Sequence, residues 1–334
     1  MDLLNKKILF FAPSFFGYDN EIKKELEKRG AQVILYNERP STNFFIKTII
    51  RFNKKLIHFF TLNYFNNIIK INKSINFEYI FIIKGEVFTK EIVSKFKINY
   101  PEAKVILYLW DSIQNYVDIK NALYIFDKTL TFDYEDSKNI ELLEFRPLFF
   151  INSYSLKPLS SPFDVKPYYE LLFIGTVHSD RWEFLYKLKK EAEKSNLNVF
   201  YYLYIQSPII FIFRKLFDKR LRSLPIKDIQ FYPLTKDQTI SFVEQSVAIL
   251  DIQHPKQTGL TMRTIEVLGA NRKLITTNTS ISSYDFYHEN NILIIDRNNP
   301  QIPETFFNLP YKELAPEIYS KYSIGGWIKD IFSD

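Results

Sequence analysis

Apolar runs recur along the first half of the chain and alternate with polar stretches of helical spacing. KILFFA (7–12) is typical of a buried strand, and DNEIKKELEKRG (19–30) of a helix that Asp19 caps and Gly30 ends. The same pattern predicts strands at 31–37, 79–85, 103–111 and 128–133, and a helix at 89–98. Continuous apolar strands separated by helices indicate a parallel sheet that is covered on both faces.

The alternation stops at a segment rich in Ser and Pro and then begins again. It predicts a helix at 180–195 and strands at 170–177, 198–205, 229–234, 247–252, 273–277 and 291–296. We therefore predict an α/β chain of two Rossmann-like, doubly wound domains that face an interdomain cleft. The predicted parts are an N-terminal domain (1–151), a linker (152–168), a C-terminal domain (169–315) and a helical tail (316–334) that could pack back on the N-terminal domain.

Composition narrows the class of protein. The 334 residues, of which 46% are hydrophobic, suffice for two ordinary domains and exclude wholesale disorder. The absence of cysteine excludes disulfides and thiolate chemistry, and a net charge of +6 favours anionic partners such as sugar nucleotides, anionic lipid or nucleic acid. Since no apolar run reaches the roughly 20 residues of a membrane span, we expect a soluble or peripheral protein.

Two segments interleave basic and large apolar residues, namely 43–74 and 209–225. Each has two interpretations: an amphipathic helix that rests on an anionic membrane surface, or a helix that packs its apolar face on the protein. His58, in the first segment, is expected to be a packed histidine rather than a ligand.

Polar residues cluster after the predicted strands, where ligands bind in parallel sheets. The clusters follow strands in both halves, at 13–20, 84–86, 110–112, 175–181 and 253–263. Each member also has a plain structural explanation. These are a helix cap for Asp19, a turn for Gly17, a surface pair for Lys84 and Glu86, a cap of the next helix for Asp111, and an exposed position for His178 and Lys256.

The segment QTGLTMRTIEVLGA (257–270) reads as a helix that begins after a polar loop. A helix N-terminus offers backbone N–H groups and a partial positive charge to an anion such as a phosphate. Gly259 would let the backbone approach such a ligand, and Glu266, one turn further on, could accept hydrogen bonds from a ribose. The pattern indicates a nucleotide site.

Five stretches resemble those of GT-B glycosyltransferases of the bacterial lipopolysaccharide and capsule type, including CgeB-like proteins. They are APSFFGYDNEI (12–22), IIKGE (82–86), ILYLWDSIQNY (106–116), FIGTVHSDR (173–181) and TMRTIEVLGANRKLITTN (261–278). The last contains the family's R-x-x-E-x-L-x-[AG] pattern. The resemblance covers nearly the whole chain.

The resemblance implies a role for each candidate residue. Glu266 would bind the donor ribose, and Arg263 would face the donor diphosphate. The other implied donor-side residues are Gly175, Arg181, Lys256, Gly259, Leu260, Thr261 and Met262. The implied acceptor-side residues are Phe16, Gly17, Tyr18 and Lys84. No cofactor is expected beyond the nucleotide-sugar co-substrate, and no metal.

One departure from the family concerns stereochemistry. Many retaining members carry two glutamates seven residues apart, and Thr258 stands where the first would be, so an inverting transfer is favoured. An inverting transfer needs a base for the acceptor hydroxyl. Asp111 is our first candidate, and Glu86, Asp19 and His178 are the alternatives.

The sequence thus predicts an enzyme that moves a sugar from a nucleotide-sugar to a glycan, expected to be lipid-linked, in bacterial surface polysaccharide (lipopolysaccharide, O-antigen or capsule) biosynthesis. It would work in the cytoplasm or on the inner face of the cytoplasmic membrane. The alternatives are a GT-B-like sugar-nucleotide epimerase and a non-enzymatic basic protein that binds nucleic acid or membrane. Nucleic acid is not the expected partner, and the absence of a Walker loop and of G-x-G-x-x-G disfavours NTPases and dehydrogenases.

Overall fold

The structure, a computed structural model, describes residues 3–40, 54–159, 168–177, 180–254 and 259–333. The chain divides into two compact units. Unit 1 comprises Met1–Leu148 and Ile324–Asp334, and unit 2 comprises Phe149–Ser323. Each unit contains a parallel sheet in which six strands are described. The predicted α/β class with two Rossmann-like domains is confirmed.

The sheet of unit 1 has the strand order β2-β1-β3-β4-β5-β6. Its strands are β1 (Lys7–Ala12), β2 (Gln32–Asn37), β3 (Tyr79–Ile83), β4 (Lys104–Leu109), β5 (Lys128–Thr131) and β6 (Glu144–Phe145). The central strands are buried on both faces, which explains their continuous apolar sequences. The order reverses direction at β1 and β3, and this switch point is where open α/β sheets bind ligands.

The helices of unit 1 cover both faces of this sheet. They are α1 (Tyr18–Lys28), α2 (Lys54–Ile71), α3 (Lys90–Asn99), α4 (Val117–Lys120), α5 (Tyr134–Asn139) and α12 (Ile324–Phe332).

The prediction that Asp19 caps α1 is wrong. Gly17, with φ of 76°, is the N-cap, and its left-handed backbone starts the helix two residues earlier than an Asp19 cap would. Asp19 therefore lies in the first turn.

Helix α2 forms most of the described part, 54–74, of the predicted segment 43–74, and residues 43–53 lie outside the described residues. Phe65, Ile68 and Ile69 of α2 are buried in a core cluster that also contains residues of β1, β3 and β4, so this helix packs on the sheet. The prediction of a packed His58 is wrong. His58 is on the surface, with Nε2 3.2 Å from a carboxylate oxygen of Glu91.

The predicted C-terminal tail divides between the two units. Its first helix, α11 (Pro316–Tyr322), belongs to unit 2, whereas α12 belongs to unit 1. Trp327 of α12 is fully buried, and its ring centroid lies 5.9 Å from that of Phe81 and 4.9 Å from that of Tyr108. Helix α12 therefore covers β3 and β4 with an apolar face.

The sheet of unit 2 has the order β12-β11-β10-β7-β8-β9, with its switch point between β7 and β10. Its strands are β7 (Tyr169–Thr176), β8 (Val199–Tyr204), β9 (Ile229–Gln230), β10 (Ser246–Asp251), β11 (Lys273–Thr276) and β12 (Ile292–Ile294). Its helices are α6 (Arg181–Lys194), α7 (Pro208–Phe217), α8 (Lys236–Glu244), α9 (Met262–Gly269), α10 (Thr305–Asn308) and α11.

The predicted linker, 152–168, falls within unit 2, which begins at Phe149, and its residues 160–167 lie outside the described residues. Phe150 packs on α9, so closely that a Cβ added to Gly269 would lie 2.4 Å from its ring. Tyr154 is buried, and Leu156 accepts a hydrogen bond from the Asn271 side chain. Across the described ranges, none of the helices is both long enough and apolar enough to cross a bilayer.

Candidate functional site

The start of α9 is fixed by Asp251, the last residue of β10. The hydroxyls of Thr261 and Thr264 donate to the same oxygen, Oδ2 of Asp251, over 2.6 and 2.7 Å. Thr261 is also the N-cap, since its side chain accepts a hydrogen bond from the backbone N–H of Thr264 over 3.2 Å. The first turn of α9 is thereby held at the carboxyl end of the sheet, with the positive end of its dipole at the switch point.

Arg263 in the first turn of α9 and Glu266 in the second form a cluster with Tyr154. Arg263 Nη1 lies 2.9 Å from Glu266 Oε2. The Tyr154 hydroxyl accepts a hydrogen bond from Arg263 and donates one to Glu266. Burial, together with the Glu266 carboxylate, raises the pKa of Tyr154. The buried Glu266 is thus oriented by two partners within its own unit.

Tyr154 carried no sequence signal, because it lies in the stretch that reads as a linker. It follows Phe150, whose ring packs closely against Gly269 of α9, by four residues.

Arg181 begins α6 and ties the two central strands of unit 2 together. Its Nε and Nη2 donate to the carbonyl of Ile252 over 3.0 and 2.5 Å, and its Nη1 donates to the carbonyl of Thr176 over 3.2 Å. Burial lowers the pKa of Arg181, while the nearby Asp251 carboxylate opposes that shift. Its guanidinium therefore positions strand ends, and a phosphate contact stays a prediction.

A second arginine at this edge was not predicted. Arg297 follows β12 and makes a bidentate pair with Asp180, with both N···O distances 2.7 Å. Its Nη1 also donates to the Gln253 carbonyl over 3.1 Å. The Arg297 guanidinium lowers the pKa of Asp180. Asp180 directly precedes a helix and Arg297 follows a strand, and both positions in the sequence predict a place at the carboxyl edge of the sheet. That the two residues pair with each other could not be predicted from their positions.

The remaining donor-side candidates are distributed around α9 and β7. Gly259 and Leu260 are buried just before the helix, and Met262 is partly exposed. Gly175 is needed for packing, because a Cβ there would lie 2.7 Å from the Phe173 ring. Two candidates, Lys256 and His178, and the position of Thr258, lie outside the described residues.

In unit 1, the turn after β3 places Lys84 between two carboxylates. Lys84 and Gly85 both adopt left-handed backbone angles, with φ of 73° and 70°. Lys84 Nζ then lies 3.6 Å from Glu86 Oε2 and 3.1 Å from Asp111 Oδ2. The strained φ at Lys84, which glycine would adopt more easily, keeps its ammonium at the switch point of this sheet.

Asp111 follows β4 and is half-exposed. The Tyr116 hydroxyl donates to Asp111 Oδ2 over 2.6 Å, and burial with the Asp111 charge raises the pKa of Tyr116. Asp111 does not cap the following turn. Ser112 caps it, and Asp136 accepts a hydrogen bond from the backbone N–H of Ile113 over 2.8 Å. Both contacts to Asp111 use Oδ2, so they orient the carboxylate while part of it faces solvent.

Glu38, directly after β2, is a buried carboxylate that sequence reasoning missed. It accepts a hydrogen bond from the backbone N–H of Glu86 over 3.2 Å and lies 3.7 Å from Arg39, which in turn donates to the Glu86 carboxylate. Burial raises the pKa of Glu38 to about 7, although Lys84 and Arg39 oppose that shift. In the sequence, Glu38 and Arg39 are indistinguishable from an ordinary surface pair.

The loop after β1 separates the acceptor-side candidates. Phe16 is exposed, whereas Tyr18 is buried, with its ring centroid 5.8 Å from that of Trp110. Gly17 needs its left-handed backbone and not small size, since an added Cβ would meet nothing within 4 Å. Burial raises the pKa of Asp19, against hydrogen bonds from backbone N–H groups and Ser14.

No protein-family model matches the chain, and no curated protein matches it in sequence. Solved structures do match. The Anabaena protein HepE in complex with UDP-glucose has a TM-score of 0.62 at 11% identity, covering 97% of this chain and 98% of HepE. A glycosyltransferase from Rickettsia africae has a TM-score of 0.61 at 11% identity, covering 99% of each chain.

A candidate UDP-N-acetylglucosamine 2-epimerase from Listeria monocytogenes is also similar, with a TM-score of 0.54 at 10% identity, covering 98% of this chain and 95% of that one. At such identities the similarity defines the fold alone. The chain has the GT-B fold of two Rossmann-like units.

Proposed function

We propose that this protein is a glycosyltransferase that uses a nucleotide-sugar donor. The observation that carries the proposal is the arrangement at α9. Asp251 fixes the first turn of the helix at the switch point of unit 2, and Arg263 of that turn forms a charged cluster with Glu266 and Tyr154. The fold shared with the UDP-glucose complex of HepE supports the assignment.

We assign the donor to unit 2. The positive end of α9 and the Arg263 guanidinium suit a diphosphate, because both stabilise the negative charge that develops as the sugar leaves. Glu266 suits the ribose hydroxyls, because a carboxylate accepts two hydrogen bonds from neighbouring O–H groups. Tyr154 would keep Glu266 in position for them.

We assign deprotonation of the acceptor to Asp111 of unit 1. The acceptor oxygen would bond to the anomeric carbon while its proton passes to Asp111, and the bond from that carbon to the diphosphate would break with its electrons on the leaving phosphate. This is the inverting course. Glu86, held by Arg39 and Lys84, is the next candidate, ahead of the more buried Asp19.

We propose a glycan acceptor carried on a lipid, in bacterial surface polysaccharide biosynthesis at the cytoplasmic side of the membrane. Two features support it. The net charge of +6 favours an anionic surface. The exposed rings of Phe15 and Phe16, whose centroids are 4.5 Å apart, offer an apolar surface beside the switch point of unit 1.

The test is a thermal-shift screen of the full chain with UDP-, GDP-, CMP- and dTDP-linked sugars. A ligand that binds the native state raises the free energy of unfolding by mass action, by about 2.7 kcal/mol when its concentration is a hundred times its Kd. The melting temperature rises as a consequence. We expect one nucleotide class to shift the transition. If none does while RNA or DNA does, the protein is a nucleic-acid-binding protein instead.

The second candidate is a sugar-nucleotide epimerase, which the similarity to the Listeria protein favours. An epimerase converts the bound nucleotide-sugar without an acceptor, whereas a transferase needs one. Incubation with the nucleotide-sugar alone, followed by NMR of the sugar ring protons, separates the two. Appearance of an epimer would replace the transferase proposal.

A further inference from the structure

Helix α7 (Pro208–Phe217) of unit 2 presents an apolar face to solvent. Among its ten residues, all of which the structure describes, Phe211 is the one that is buried. Ile209, at 67% exposed, and Phe217, at 83%, lie near its two ends. The large side chains that share this exposure are Ile209, Ile210, Ile212, Phe213, Leu216 and Phe217.

The helix itself is well anchored, so the exposure is not that of a loose segment. Ser207 caps its N-terminus by accepting a hydrogen bond from the backbone N–H of Ile210 over 3.2 Å. Phe211 packs into the core of unit 2. Arg214 donates to the carbonyl of Val177 over 2.8 Å, and Lys215 donates to that of Leu224 over 2.9 Å. The outward face is therefore held in place.

Positive charge borders this apolar face. Residues 207–228 contain six Lys or Arg and two Asp. The turn at 219–221 packs against α7 and carries the exposed Lys219 and Arg220, and exposed Arg222 and Lys227 follow it. Asp218 pairs with Arg220, and with Asp228 also counted the segment keeps four positive charges more than negative ones.

We propose that α7 docks the protein on the surface of an anionic bilayer. A helix of ten residues is about 15 Å long, which is too short to span a membrane but suits a helix that lies in the interfacial plane. Its aliphatic and aromatic side chains would enter the boundary between headgroups and acyl chains, while the lysines and arginines meet anionic headgroups.

Charge favours a bilayer over a second copy of this chain. A symmetric dimer through α7 would bring the same basic residues of both copies together, and like charges disfavour such an interface. An anionic lipid surface compensates that charge. The inference does not depend on transferase activity, because it concerns a surface and not the donor site.

The experiment is flotation of the full chain with vesicles. We expect binding to vesicles of equal parts phosphatidylglycerol and phosphatidylcholine at low salt, less binding at high salt, and little binding to phosphatidylcholine alone. The double variant Phe213→Ser/Phe217→Ser should bind the anionic vesicles about tenfold more weakly or worse.

The matched control is Ile98→Ser/Leu142→Ser, which removes two exposed apolar side chains of unit 1 and should bind as the wild type does. Should the Phe213→Ser/Phe217→Ser variant fail to fold, Lys219→Glu/Arg222→Glu changes the charge alone and should also lose binding to anionic vesicles.

Three outcomes would overturn the proposal. The first is no binding of the wild type to anionic vesicles at low salt. The second is equal binding by folded α7 variants and the wild type. The third is that the wild type does not bind vesicles but forms a concentration-dependent dimer, seen by light scattering, and that the α7 variants do not form this dimer. Nucleotide-sugar thermal shifts, measured on the same samples, report on the proposed function separately.

Discussion

Glu266 and Asp111 are both carboxylates at the carboxyl edge of a parallel sheet, but their surroundings differ. Glu266 is buried and contacts Arg263 and Tyr154. Asp111 is half-exposed and contacts Lys84 and Tyr116 through one oxygen. A buried, oriented carboxylate suits binding of fixed hydroxyls, whereas a carboxylate that is partly open to solvent suits proton transfer to an incoming group.

Glu266→Ala should weaken binding of the cognate nucleotide. Loss of a charged hydrogen bond costs about 1.5–3 kcal/mol, which corresponds to about 10- to 150-fold in Kd. Isothermal titration calorimetry measures it. Glu289→Ala, which removes an exposed carboxylate of the same unit, is the control and should bind normally. An unchanged Kd for a folded Glu266→Ala protein would remove Glu266 from the site.

Asp111→Asn should leave donor binding normal and lower turnover about 100-fold or more, because the amide keeps the size of the side chain but is not a base. Turnover is measured on the acceptor by release of the nucleotide diphosphate. Glu102→Gln, the same change at an exposed position of unit 1, should be neutral. If Asp111→Asn turns over at the wild-type rate, Asp111 is not the base, and Glu86→Gln is the next variant to test.

At the scale of elements, the sequence predicted strands best where both faces are buried. The run at 7–12 is β1 as predicted. A strand that is covered on both faces buries successive side chains, so its sequence is an uninterrupted apolar run. The strand predicted at 229–234 is only Ile229–Gln230, since it lies at the sheet edge, where fewer neighbours select its residues. The predicted Asp19 cap of α1 is wrong because the left-handed backbone of Gly17 starts the helix before Asp19, and a left-handed glycine leaves no mark in the apolar pattern.

The sites were predictable in part, and the reason is physical. Residues that directly follow strands, such as Lys84 and Asp111, could be assigned to the sheet edge from their order in the sequence. Residues that contact these sites from distant parts of the sequence could not be assigned in this way. Tyr154 reaches Arg263 and Glu266 across more than a hundred residues of sequence, and Arg297 reaches Asp180 in the same way. Such pairs depend on tertiary packing, which no local pattern encodes.

At the scale of the whole molecule, the chain leaves unit 1 after Leu148 and returns to it at Ile324. The fold of unit 1 therefore depends on residues from both ends of the sequence. Arg29 donates to the carbonyl of Gly325 over 2.8 Å, and Lys128 donates to the carbonyls of Asp330 and Ser333 over 2.9 and 2.8 Å. These polar contacts orient α12, and the apolar face of α12 is buried against the sheet.

Trp327→Ala tests this dependence. Trp327 is fully buried against Phe81 and Tyr108, so its truncation should leave a cavity and lower the free energy of unfolding by about 3–5 kcal/mol. Urea unfolding followed by circular dichroism measures the loss. Hydrogen exchange should show reduced protection in β3 and β4, the strands that α12 covers.

The control is Ile98→Ala, because Ile98 is 77% exposed in the same unit and its truncation should change stability by about 0.5 kcal/mol or less. If Trp327→Ala unfolds at the wild-type urea concentration with β3 and β4 still protected, α12 is not a structural part of unit 1. If protection falls in those strands as expected, α12 completes the sheet that carries Lys84 and Asp111. Its loss would then also disturb the residues that we propose for the acceptor.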